Sequence, residues 1–112
     1  MKIYHNPRCA KSRETLTLLK SKGQDLEIIL YLDNPPTGKE LKAILKKLQL
    51  KPEQLLRKGE AIFKEQYKGK ILSDDQWIKA MVENPKLIER PIVIEGNRAV
   101  LGRPPEQVLS LL

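Results

Sequence analysis

The sequence predicts an α/β fold, a mixed sheet flanked by helices, and three features carry that prediction. The chain opens as strand, helix, strand; its middle is a block of helical periodicity; it closes on two short strands and a helix. At 112 residues it has the size of one compact domain, so residues 1–112 are expected to form a single domain.

Lys2 to Tyr4 is a short strand, and the polar turn His5-Asn6-Pro7-Arg8 leads from it to Cys9, where a helical pattern begins. Residues 10 to 22 read as an amphipathic helix with Leu16 and Leu19 inward, joined by Ala10 or Thr15, and with Lys11, Lys20 and Lys22 outward. Gly23 stops it. The apolar, β-branched run Leu26 to Leu32 suits a strand buried on both faces, as parallel strands usually are, and completes a βαβ unit. Asp33-Asn34-Pro35-Pro36 breaks that strand. Thr37 then caps a second helix, with Glu40 in the capping-box position and Leu41, Ile44, Leu45 and Leu48 on its inner face. Pro52 to Leu56, Glu60 to Tyr67 and Ser73 to Glu83 follow as short helices, the last with Ser73 as N-cap and Asp74 and Asp75 in its first turn. Residues 37 to 84 therefore form a helical insert. Pro91 to Ile94 and Arg98 to Leu101 read as a hairpin around Glu95-Gly96-Asn97, and Pro104 to Leu112 as a closing helix. The layout is compatible with a thioredoxin-like fold.

Composition narrows the function classes. The longest apolar runs are too short to span a bilayer, and the N-terminal residues lack an apolar stretch of signal-peptide length, so neither membrane insertion nor export is expected. A lone cysteine forms no internal disulfide and fits a reducing compartment, the cytoplasm. The net charge of +7 favours an anionic partner, whether nucleic acid, membrane surface or small oxyanion. Lys39, Lys42, Lys46, Lys47 and Lys51 recur at spacings that fit the solvated face of a helix. The sparse aromatics Tyr4, Tyr31, Phe63, Tyr67 and Trp77 are not interleaved with basic residues as in single-strand binders, so no nucleic acid is expected. One histidine and one cysteine are too few soft or imidazole ligands for a catalytic metal, and none is expected.

The chemistry centres on Cys9, which lies between a proline-containing loop and a helix start, where free backbone N–H groups and the helix dipole favour a thiolate. His5, Arg8, Lys11 and Arg13 add positive potential, and the Ser12 hydroxyl is in range to donate to sulfur. The competing reading is a small buried hydrophobe, the commoner role of a lone cysteine. In Cys9-Ala10-Lys11-Ser12 a hydroxyl occupies the second position of a C-x-x-C pair, so any disulfide intermediate needs an outside thiol. His5 is either a base or a residue that shapes the loop. Arg57, Arg90 and Arg103 each stand beside glycine or proline punctuation. Their forks match tetrahedral oxyanions if they converge, and form surface ion pairs if they do not.

The run Tyr4-His5-Asn6-Pro7-Arg8-Cys9 followed by Ser12-Arg13-Glu14-Thr15-Leu16 resembles the H-N-P-x-C…S-R-x-T-L signature of the ArsC-type, glutaredoxin-coupled arsenate reductases. Ile28-Ile29-Leu30-Tyr31-Leu32, Asn34-Pro35-Pro36, Leu55-Leu56-Arg57, Asp74-Asp75-Gln76, Asn84-Pro85, Arg90-Pro91-Ile92-Val93 and Gly102-Arg103-Pro104 extend the likeness almost end to end. The resemblance implies a thioredoxin-like fold with a helical insert, Cys9 as the catalytic nucleophile, and Arg57, Arg90 and Arg103 as an oxyanion-binding triad. It further implies supporting roles for His5, Asn6, Ser12 and Arg13, and a cis peptide before Pro91. The implied reaction is attack of the Cys9 thiolate on arsenate, with glutathione as co-substrate and glutaredoxin as reductant partner, no bound cofactor, and a monomeric enzyme. Ala10 and Lys11 depart from the Gly-Thr pair of well-established reductases, and the sequence is most like a short branch of the family. Two other functions stay open: thiol reduction of a related oxyanion, and the regulator branch of the same fold, which binds RNA polymerase and often carries C-x-x-C. His5-Asn6-Pro7, Ser12 and the three arginines favour the reductase.

Overall fold

A computed structural model describes residues 1–112. Within the span expected as a single domain, the chain packs as two compact units, Met1–Asn34 with Arg90–Leu112 and Pro35–Glu89.

The first unit holds a four-stranded mixed sheet of order β2-β1-β3-β4. Its strands are β1 (Lys2–His5), β2 (Glu27–Leu30), β3 (Ile92–Glu95) and β4 (Arg98–Leu101), and helix α1 (Ala10–Ser21) joins the first two. β1 runs parallel to β2, with Lys2 opposite Glu27 and His5 opposite Leu30, and antiparallel to β3, with Ile3 opposite Val93. The β3–β4 hairpin closes with Glu95 paired to Arg98, so the turn is only Gly96-Asn97, and Gly96 takes the positive φ of 59° that such a turn requires. α1 and a C-terminal 3₁₀ helix (Pro105–Leu111) lay Leu19, Val108 and Leu111 against Ile3 and Val93, and these five form the core of the unit. The closing helix is thus 3₁₀ throughout.

One expectation fails here. The second strand is not buried on both faces: it is one of the two edge strands, shorter than the apolar run that suggested it, with Ile28 and Leu30 about two-fifths exposed. Its apolar sequence matched a central parallel strand, but the chain places β1 and β3 at the centre, where Ile3 and Val93 are fully buried.

The second unit is helical: α2 (Gly38–Leu48), a 3₁₀ turn (Pro52–Leu55), α3 (Ala61–Gln66), α4 (Asp74–Glu83) and a 3₁₀ turn (Pro85–Leu87). Both expected N-caps are present. Thr37 Oγ1 accepts the Glu40 N–H (3.1 Å) while Glu40 returns a carboxylate oxygen to the Thr37 N–H (2.9 Å). Ser73 and Gln76 make the same reciprocal pair on α4. α2 buries Leu41, Ile44 and Leu45; α4 buries Trp77, Ile78, Ala80 and Met81. The lysines of the predicted solvated face, Lys39, Lys42 and Lys46, are exposed, and Lys42 meets Asp75 at 3.1 Å. No helix is long and apolar enough to cross a membrane.

Candidate active site

β1 ends at His5 and α1 begins at Ala10, and the four residues between them are tied down by local hydrogen bonds. The Cys9 N–H donates to the Asn6 carbonyl (3.0 Å), the Arg8 N–H to Asn6 Oδ1 (3.0 Å), and the Arg13 guanidinium reaches back to the Pro7 carbonyl (3.0 Å). Cys9 is the N-cap of α1, with extended backbone (φ −94°, ψ 123°) and its carbonyl already accepting from the Arg13 N–H. Its sulfur thus faces the helix end at which N–H groups lack intrahelical partners.

The electrostatics of Cys9 follow from that position. Burial pushes the thiol pKa up, but a hydrogen bond from Arg90, the backbone N–H of Ser12, the Arg90 charge and the Lys11 N–H outweigh it, and the net shift is downward. Arg103 adds a second guanidinium, its Nη1 lying 3.8 Å from the sulfur and 3.4 Å from the Arg90 carbonyl. Arg90 precedes a cis peptide to Pro91, and the Arg103–Pro104 peptide is also cis, which the sequence reading did not anticipate because either isomer of an X–Pro bond is sequence-compatible.

The Ser12 hydroxyl does not serve the sulfur. It is fully buried, accepts the Asn6 N–H (3.0 Å), and stands 2.6 Å from His5 Nδ1. The Ser12 oxygen thus takes the Asn6 N–H and a hydrogen bond with His5 Nδ1 whose direction follows the tautomer of the ring. The His5 pKa is lowered, first by burial and then by the positive charges of Lys20 and Arg13. His5, Asn6 and Ser12 therefore form a buried polar cluster that holds the loop, and the expected Ser12–sulfur bond is replaced by the N–H of the same residue.

The first unit thus brings Cys9, Arg90 and Arg103 together with the His5-Asn6-Ser12 cluster and Arg13. Arg8 and Lys11 are exposed, Lys11 paired with Glu14 at 3.6 Å. Arg57 belongs to the second unit, where it lies between Glu60 (3.8 Å) and Glu89 (3.7 Å), anchored by its N–H to the Leu87 carbonyl (2.8 Å). The sequence reading gave no site role to Thr15, on the helix that Cys9 caps, or to Gly102, next to Arg103. The Thr15 hydroxyl donates to the Lys11 carbonyl (2.8 Å) and reaches the Gly102 carbonyl (3.3 Å). Gly102 was signalled only by the G-R-P motif, and Thr15 by the S-R-x-T-L motif and its place on the inner face of the helix.

The chain matches the ArsC family over residues 4–111. It is 49% identical over 114 residues to the uncharacterized protein YfgD of Escherichia coli K12, covering all of this chain and 96% of that one. To the arsenate reductase of Haemophilus influenzae it is 46% identical over 112 residues, 98% of this chain and 97% of the relative. Among solved structures, the arsenate reductase from Vibrio cholerae superposes with a TM-score of 0.95 at 48% identity, covering 100% of this chain and 98% of the other.

Proposed function

Because the chain belongs to the ArsC family, we propose that it is a thiol-dependent arsenate reductase in which Cys9 is the nucleophile and Arg90 and Arg103 are oxyanion ligands. The observation that carries this reading is the sulfur itself: a helix N-cap thiol with a lowered pKa, bonded by one guanidinium and 3.8 Å from another. A thiolate attacks an electrophilic centre, and two planar forks beside it neutralise a tetrahedral oxyanion that would otherwise repel it. Arg57 is the third proposed ligand on the family likeness alone; its ion pairs with Glu60 and Glu89 compete with an oxyanion for the guanidinium.

The reaction runs as follows. Cys9 Sγ⁻ attacks arsenic(V) and an arsenate oxygen leaves as water, the protons coming from solvent. Glutathione thiolate then attacks the sulfur of the arsenylated Cys9: the S–As bond breaks with its electron pair passing to arsenic, arsenite leaves, and the Cys9–glutathione disulfide that remains is reduced by glutaredoxin to regenerate the thiol. In sum, two electrons pass from two thiols to arsenic, the thiols end as a disulfide, and one oxygen leaves as water. Since the chain has a single cysteine, the second thiol is external. His5, Asn6, Ser12 and Arg13 act by holding the loop that presents the sulfur.

The decisive experiment is arsenate reduction with glutathione and glutaredoxin, run on wild type and on Cys9→Ser. Wild type should turn over and Cys9→Ser should not. A folded wild type without activity in any thiol system would sink the arsenate reading.

A further inference from the structure

Gly102 lies at the end of β4, immediately before Arg103, and is buried. Its N–H donates to the Pro91 carbonyl (2.9 Å) and its carbonyl faces the Thr15 hydroxyl (3.3 Å), so this corner is bonded on one side to the residue after Arg90 and on the other to α1. A Cβ at this position would lie 2.5 Å from Thr15 Oγ1, 2.8 Å from Pro91 Cγ and 3.0 Å from Thr15 Cγ2. Gly102 does not have a positive φ, in contrast to Gly23, Gly69 and Gly96. The backbone conformation therefore admits any residue, and what requires glycine is space.

We propose that Gly102 and Thr15 are positioning residues for the thiolate site: the notch they form with Pro91 sets how closely Arg90 and Arg103 approach Cys9. The proposal rests on the oxyanion-site reading above and deepens it. The two arginines leave the ends of this corner, one just before Pro91 and one just after Gly102, while Thr15 sits on the helix that Cys9 caps. Widening the notch moves both guanidinium groups relative to the sulfur, because the hydrogen bond between Gly102 and Pro91 makes them shift as one piece. A displacement of a few tenths of an ångström is enough to weaken the 3.8 Å contact from Arg103 and the hydrogen bond from Arg90.

The test measures the pH midpoint of Cys9 alkylation by iodoacetamide, and the sulfate concentration that half-protects Cys9, in wild type, Gly102→Ala, Thr15→Ala and the double variant. Neither readout depends on arsenate turnover. Gly102→Ala should raise the midpoint by roughly 0.5 to 1 pH unit, a three- to tenfold loss of thiolate below the midpoint, and should weaken sulfate protection. Thr15→Ala removes the hydroxyl that ties the Gly102 carbonyl to α1, leaving the corner less firmly held, and should shift both readouts the same way by less. The double variant, in which one methyl replaces the atoms removed across the notch, should recover most of the change. If Gly102→Ala does not fold, Thr15→Ala carries the test, and an unchanged midpoint in the folded Thr15→Ala protein overturns the proposal. A folded Gly102→Ala with a lower melting temperature but wild-type midpoint and protection also overturns it, since the glycine then serves packing alone. Shifted midpoints in variants of a protein that never reduces arsenate would uphold the notch and remove the arsenate reading instead.

Discussion

At the scale of single residues, the site is a competition between desolvation and donated hydrogen bonds at one sulfur. Burial alone would make Cys9 inert, and Arg90 with the N-terminal N–H groups of α1 reverses that. Alkylation by iodoacetamide should therefore show a midpoint below the ordinary thiol value of about 8.5, and Arg90→Lys, which keeps the charge but loses the fork, should raise it. Arg103→Lys should weaken sulfate or arsenate binding by about 1–3 kcal/mol with the fold intact, measured by competition against alkylation. His5 gives a stability signature of the same origin. Its folded pKa is lowered, so on acidification the unfolded chain takes up the proton first. The stability it contributes is complete above the unfolded value of about 6.5 and is lost as the pH falls through the folded one. Urea midpoints between pH 7 and 5 should fall more steeply in wild type than in His5→Gln, and equal slopes would mean that the ring stays solvated.

At the scale of elements, the caps and the sheet order make distinct contributions. Ser73→Ala and Thr37→Ala each remove a reciprocal cap and should cost about 1 kcal/mol in urea denaturation. α2 ends on Gln49 with φ 57°, a left-handed conformation that costs a side-chain-bearing residue about 1 kcal/mol, so Gln49→Gly should stabilise the protein by a comparable amount. In the sheet, Val93→Ala should cost roughly 2–4 kcal/mol because its side chain is fully enclosed, whereas Ile28→Thr on the open edge should cost less than about 1 kcal/mol. The reverse order would mean that β2 is covered in solution. Cap positions were legible in the sequence because a capping box is written within four residues. The edge position of β2 was not, because an apolar run records hydrophobicity and not how many neighbours the strand will have.

At the scale of the molecule, the net charge of +7 is a long-range attraction for any oxyanion that approaches. Raising the concentration of an inert monovalent salt should lower kcat/KM for arsenate chiefly by raising KM, because screening weakens attraction over distances beyond about 10 Å at 0.1 M. A kcat that falls instead, with KM unchanged, would place the salt effect on a later step. Hydrogen exchange should be slowest at the central strands β1 and β3 and faster along β2, whose outer edge has no strand partner.

What the sequence determined by itself is what acts over a few residues. The start of α1 at Cys9, the stop at Gly23 with its φ of 74°, the Thr37 capping box, the Ser73 N-cap, the Gly96-Asn97 turn and the need for an external thiol are all written locally. Tertiary structure decided which donors reach the sulfur. Arg103 meets Cys9 across 94 residues, the Ser12 hydroxyl turns from the sulfur to His5, and Gly102 closes on Thr15 across 87 residues. The spacing of Arg90 and Arg103 favoured surface ion pairs over oxyanion ligands, and only the family likeness singled these residues out. The reason is physical: caps and turns are satisfied by neighbouring backbone groups, whereas sheet order and a hairpin's return toward a helix end depend on how the whole unit packs.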